Sequence, residues 1–116
     1  MPFPAIQPVP GNKLMVLGVE TEMFAFSGVN HYQCDIFTKL LVAGESLELK
    51  FYLQRQQDGL YYQSGAPVTI TGSAGGGSAN GEQIYSFPFV SSHGVRVTGK
   101  QTGGTARLID WVVYKI

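Results

Sequence analysis

The sequence has a single cysteine, Cys34, among 116 residues, so no disulfide can close within the chain. That excludes a small scaffold stapled by disulfides and fits a reducing compartment. Cys34 itself reads as a small apolar core residue. Histidine is almost as scarce, with only His31 and His93. A zinc site needs three or four ligands at fixed spacing, and the His31-x-x-Cys34 pair has no second pair to complete it. No metal and no cofactor are expected. Charged residues make up only 14% of the chain, against roughly 25% in an average soluble domain. Eight basic and eight acidic residues cancel. Lys50, Arg55, Arg96, Lys100 and Arg107 are scattered among acids, so the clustered positive charge of a nucleic-acid groove is missing. No run approaches the ~20 apolar residues of a membrane-spanning helix. The opening MPFPAIQPVPG lacks the basic and continuously apolar regions of a signal peptide. Synthesis in the cytoplasm is therefore expected, with no membrane and no nucleic acid among the partners.

A convincing helical period is also absent. The best candidate, CDIFTKLLVAG, is short. What is present is alternation with period two, the signature of strands. Residues 13–26 read as one or two strands with Gly18 as a bulge. HYQCDIFTKLL, with Tyr32, Cys34, Ile36 and Phe37, reads as a strand that frays. AGESLELKFYLQR is the clearest element, with Leu47, Leu49, Phe51 and Leu53 on one face and Glu48, Lys50, Tyr52 and Gln54 on the other. Asp58-Gly59 then signals a hairpin with Leu60 to Gln63 as the return arm. APVTITG and Glu82 to Phe89 add strands on either side of SAGGGSANG, a low-complexity loop. Seven to nine such strands, spaced by Gly-, Asn- and Asp-bearing turns, predict an all-β fold. It is a single antiparallel β-sandwich, jelly-roll-like, over residues 13–116. An immunoglobulin-like sandwich is the second choice, although its Cys…Trp…Cys pattern is missing.

Residues 1–12 are set apart by Pro2, Pro4, Pro8 and Pro10. Each proline fixes φ and lacks an N–H, so the segment reads as an extended N-terminal arm, neither helix nor central strand. Its apolar residues Phe3, Ile6 and Val9 need cover. Either the arm is a lid over its own domain, or Phe3, Pro4, Ile6, Pro8 and Val9 lie on a neighbouring subunit.

One motif invites a catalytic reading. Gly94, Gly99 and Lys100 stand at the G-x-x-x-x-G-K spacing of a phosphate-binding loop. Such a loop needs a helix after it, whose N-terminus and backbone N–H groups converge on phosphate. Here Val95, Arg96, Val97 and Thr98 alternate as a strand. Gln101 replaces the magnesium-binding hydroxyl, and Gly103 and Gly104 would break a helix. The segment is better read as the first arm of a hairpin, with TGGTA as its turn and RLIDWVVYKI as its second arm. The apolar residues Trp111, Val112, Val113, Tyr114 and Ile116 place that last strand inside a sheet, so truncation at Asp110 should destroy the fold. A Ser-His-Asp set can be drawn from Ser91 or Ser92, His93 and Asp110, but no nucleophile-elbow sequence supports it. Glu20 and Glu22 read as a solvated edge. No enzyme is expected.

Aromatic side chains raise one further reading. Tyr61 and Tyr62 are adjacent and face opposite sides of their strand, and Tyr52 can join one of them on an outer sheet face. Stacked tyrosines there either pack across strands or bind sugar rings.

The last third, GVRVTGKQTGGTARLIDWVVYKI, resembles the C-terminal ending of small β-sandwich structural proteins of tailed phages and prophages. That ending runs as V-R-V-T-x-K-Q-T-x-G-T-x-R, followed by an apolar strand. AGESLELKFYLQRQQDGLYY resembles their middle hairpin. Gly99 departs from the pattern, where a large residue is expected, and implies a gap or a bulge; SAGGGSANG has no counterpart. The resemblance implies a virion component on the capsid surface. Such a protein would be a decoration or stabilising protein that binds the major capsid protein or other virion subunits and its own copies, as a homo-oligomer, a trimer being favoured. The competing reading is a carbohydrate-binding or host-attachment module of a tail or fibre, in which Tyr52, Tyr61 and Tyr62 would line an open groove.

Overall fold

The computed structural model describes residues 7–28, 30–54, 59–73, 84–91 and 93–115. Among these, nine strands form in chain order: β1 (Gln7–Leu14), β2 (Thr21–Ser27), β3 (Asn30–Phe37), β4 (Ser46–Gln54), β5 (Tyr61–Gln63), β6 (Val68–Thr71), β7 (Ile84–Ser91), β8 (Gly94–Thr102) and β9 (Leu108–Lys115). They make two antiparallel sheets. One runs β1-β9-β3-β7; the other runs β2-β8-β4-β5, with β6 also on β4. Strands β5 and β6 pair with successive halves of β4, so together they fill one strand position. With that position counted once, each sheet has four places, and the chain changes sheet at nearly every connection. This is the strand order of a jelly roll.

The core lies between the layers. From the first sheet come Tyr32, Cys34, Ile36, Ile109, Trp111 and Val113; from the second come Phe24, Leu47, Leu49, Val95 and Val97. The alternation read for β4 holds at Leu47 and Leu49, which are fully buried, and relaxes toward the exposed Leu53. Of the stretch read as a strand that frays, Tyr32, Cys34 and Ile36 are buried along a strand paired on both sides, and the strand ends at Phe37, after which residues 38–41 form a turn. Burial raises the Cys34 thiol far above its ordinary range, and the charge of Asp35 adds to the shift.

Four further expectations change. β8 and β9 are not two arms of a hairpin. β8 pairs with β2 and β4, whereas β9 pairs with β1 and β3 in the other sheet. The TGGTA turn is an arch between layers, with Gly103 and Gly104 at positive φ. The placement of β9 inside a sheet does hold, since it lies between β1 and β3.

The arm boundary at residue 12 also moves. Residues 7–14 pair with β9 along their whole length, so Pro8 and Val9 belong to a strand of the sandwich. Val9 lies opposite the buried Val113 and faces its own domain. Prolines are tolerated because β1 is an edge strand. Alternate residues turn their N–H the same way, so one open edge accommodates both Pro8 and Pro10 without a lost ladder bond. Phe3, Pro4 and Ile6 lie outside the described residues.

Gly99 leaves no gap. A Cβ there would stand 2.9 Å from Met23 Sδ and 3.2 Å from Met15 Sδ, so the two methionines fill the space. The bulge falls in the partner strand, between Glu22 and Phe24, and Gly18 is a turn residue at positive φ between β1 and β2.

Candidate interaction site

The register places the loops 15–20, 38–45 and 103–107 at one end of the sandwich: Ser46 pairs with Thr102, Thr21 with Gly99, Phe37 with Asp110 and Leu14 with Leu108. A buried carboxylate ties these loops together. Glu45 is 1% exposed. Its Oε1 accepts from Arg107 Nε at 2.9 Å and from the Val42 N–H at 3.0 Å. Its Oε2 accepts from Arg107 Nη2 at 2.9 Å and from the Thr105 N–H at 3.1 Å. The Arg107 bonds, aided by the two backbone donors, hold the Glu45 carboxyl at about 2, well below its ordinary value, against the opposing effect of burial.

Gln101, also fully buried, closes the arch. Its Oε1 accepts from the Arg107 N–H at 2.9 Å and its Nε2 donates to the Thr105 carbonyl at 2.7 Å. Loop 15–20 hangs on the same group through Met15 N–H to the Arg107 carbonyl and Gly18 N–H to the Gln101 carbonyl. Glycine is required at 104: φ is +67°, and a Cβ would stand 2.4 Å from Glu45 Oε2. Thus Gly44-Glu45 and Gln101-x-x-Gly104-Thr105-x-Arg107, from two separate stretches of the chain, meet in one latch. Sequence reading missed Glu45, which stands one residue before the β4 alternation and gives no pattern of its own.

The latched end displays apolar side chains. Val16, Leu17, Val19 and Leu40 are exposed on its loops, and Leu14 and Leu108, paired across β1 and β9, are exposed beside them. Val16 is 56% exposed and Leu14 57%, values that are costly for aliphatic side chains without a partner.

The second apolar feature is a side pocket of about 340 Å³ between the sheets, near the opposite end. It is lined by Phe51, Leu53 and Val95 of one sheet, by Tyr85, Phe87 and Phe89 of the other, and by Pro88, Val90 and Ser64 at the rim. Phe51 and Phe87 meet edge to face with ring centres 4.6 Å apart.

The tyrosines do not line one groove. Tyr61 pairs with Gln54 and Tyr62 with Leu53, so Tyr61 joins Tyr52 on the outer face while Tyr62 turns to the other side. The Arg96 guanidinium lies 5.1 Å from the Tyr52 ring centre and 5.9 Å from that of Tyr61. Tyr52 Oη and Thr98 Oγ1 both donate to Glu20 Oε1, which lowers the Glu20 carboxyl and raises the Tyr52 hydroxyl. Glu22 stands 3.5 Å from Arg96 Nε. The two glutamates therefore belong to a cross-strand network.

The segment from Gly94 to Thr102 is a continuous strand, so its glycines and Lys100 form no phosphate loop. His93 precedes β8 at one end of the sandwich, while Asp110 pairs with Phe37 toward the other, so the pair does not converge. Ser92 lies outside the described residues. Among the described residues, no three His, Cys, Asp or Glu side chains cluster as a metal site would need.

No family model and no curated protein matches this chain. Two solved structures are similar in shape. The crystal structure of the infectious bursal disease virus VP2 subviral particle matches with a TM-score of 0.49 and 12% identity, over 96% of this chain and 37% of that one. The structure of the infectious bursal disease virus Gx strain matches with a TM-score of 0.41 and 12% identity, over 97% and 32%. The chain thus spans about a third of the length of the structures it matches.

Proposed function

We propose that this chain is a structural virion protein, a capsid decoration or stabilising protein that binds major capsid subunits and its own copies, with a trimer favoured. One observation carries the reading: exposed Val16, Leu17, Val19 and Leu40, on loops tied together by the Glu45–Arg107 latch, gather at one end with exposed Leu14 and Leu108 of β1 and β9. A rigid apolar end is suited to burial against protein, since little ordering entropy is lost on docking. The low charge of the chain and its resemblance to phage structural proteins support the same reading. Adhesion, without turnover, is the role assigned to the domain. The carbohydrate-binding alternative is the weaker one, because Arg96 occupies the space over Tyr52 and Tyr61 where a sugar ring would stack.

The test is co-sedimentation with purified capsids of the virus that carries the gene. Saturable binding by the wild type supports the proposal; a protein that stays in the supernatant removes it.

A further inference from the structure

The side pocket and the N-terminal segment stand in a relation that the apolar end does not explain. β1 and β7 are the two opposite edges of the same sheet. The chain enters β1 at Gln7, which pairs with Lys115 near the end of β9. The pocket lies toward that same end, among Phe51, Leu53, Val95, Phe87 and Phe89, on the β7 side. The chain N-terminal to Gln7 therefore joins the sandwich at one edge, and the apolar pocket lies toward the other edge, at the same level.

Resting on the reading of a self-associating structural protein, we propose that Phe3 and its neighbours Pro2–Ile6 of one copy occupy the Phe51–Phe87–Phe89 pocket of the next copy. Reach favours the neighbour over the chain's own pocket. From Gln7, Phe3 extends at most about 14 Å at 3.3–3.6 Å per residue. Crossing from β1 to β7 takes three strand spacings, also about 14 Å, before the chain turns in between the sheets. A fully stretched segment would end at the rim. A second copy set edge to edge brings its pocket directly beside the departing segment.

The chemistry matches as well. The pocket walls are aromatic and aliphatic, and Met1–Ile6 carries no charged side chain. Aromatic rings pack favourably on one another in offset or edge-to-face geometry. Segment and socket are different surfaces on opposite edges, so the contact is heterologous. Repeated, it closes into a ring when the rotation permits.

The test pairs Phe3→Cys with Val90→Cys, an exposed residue on the pocket rim. The native Cys34 is buried and stays silent. Mild oxidation of a mixture of isotope-labelled and unlabelled protein is expected to give covalent multimers. Their digests should contain mixed-label disulfide peptides that join position 3 of one copy to position 90 of another. Linkage confined within single chains, or no linkage, overturns the inference. Light scattering supplies an independent measurement. Phe3→Ala and Leu53→Arg should each lower the multimer to the mass of one chain with the fold retained by circular dichroism; a monomeric wild type, or variants with unchanged mass, overturns it. Capsid co-sedimentation separates the two proposals. Protein that cross-links between copies but ignores capsids keeps this inference and removes the virion reading. Protein that binds capsids without cross-linking does the reverse.

Discussion

Glu45 and Arg107, sixty-two residues apart in the chain, form a forked ion pair in which Arg107 reaches both carboxylate oxygens at 2.9 Å. The Glu45 side chain is only 2% exposed, and Arg107 keeps 31%. Breaking a fully buried pair costs about 3–5 kcal/mol, because one charge is left without its partner. Arg107 can still turn toward water, so Glu45→Gln should cost less, on the order of 2 kcal/mol. A shift in urea midpoint without a change in slope is the expected result.

The same pair sets a dependence on acid. The folded state holds the Glu45 carboxyl at about 2, below its ordinary 4.5. A depressed carboxylate contributes its full stability above the ordinary value, and the contribution disappears as pH falls from about 4.5 toward 2. Thermal melts of the wild type and Glu45→Gln should therefore differ most at neutral pH and converge below pH 3. A gap that stays constant down to acid would show that the pair does not carry the dependence.

Gly99 tests how tightly the two sheets are packed. A leucine there would run into Met23 and Met15. Overpacking of this kind costs typically about 1–3 kcal/mol. Gly99→Leu should be destabilised by that amount, and Met23→Ala in the same chain should restore part of it. A double variant no more stable than Gly99→Leu alone would place the strain elsewhere.

Cys34 reports on unfolding. It is fully buried, and its thiol is raised by desolvation. A thiol-reactive dye should label it only as fast as the molecule opens, with amplitude following the denaturant transition measured by circular dichroism. Rapid labelling in native buffer would contradict its place in the core.

Tyr52→Phe removes one of the two hydroxyl donors to Glu20. The Glu20 carboxyl should then titrate closer to its ordinary value in an NMR pH series, and stability should fall by about 0.5–1.5 kcal/mol or less, as for one exposed hydrogen bond. An unchanged titration would show that Thr98 and the nearby cations suffice.

Much of the fold was legible because side-chain alternation is a local property. Leu47 and Leu49 announced β4, and Asp58-Gly59 announced the β4–β5 hairpin that Tyr61↔Gln54 pairing bears out. Alternation says which side chains share a face, but not which sheet a strand joins. β8 and β9 therefore looked like a hairpin, since a short glycine turn serves equally for a hairpin and for an arch between layers. The prolines misled for a related reason. They exclude β1 from the middle of a sheet, but Pro8 and Pro10 leave an edge open to it. Glu45 was invisible because its burial depends on Arg107 and Thr105, which the chain brings back only after 60 residues. The apolar loop end was equally hidden: Val16, Leu17, Val19 and Leu40 read as strand or turn residues until the strand order set them together.

The most direct test of the adhesive role is capsid co-sedimentation of wild type beside the Val16→Asp/Leu17→Asp double variant. Both side chains are exposed, so melting temperature should barely move, within about 0.5 kcal/mol of stability per site. The account expects saturable pelleting of wild type and at least a tenfold loss of affinity in the variant. Equal pelleting of the two proteins, or none by wild type, would contradict it.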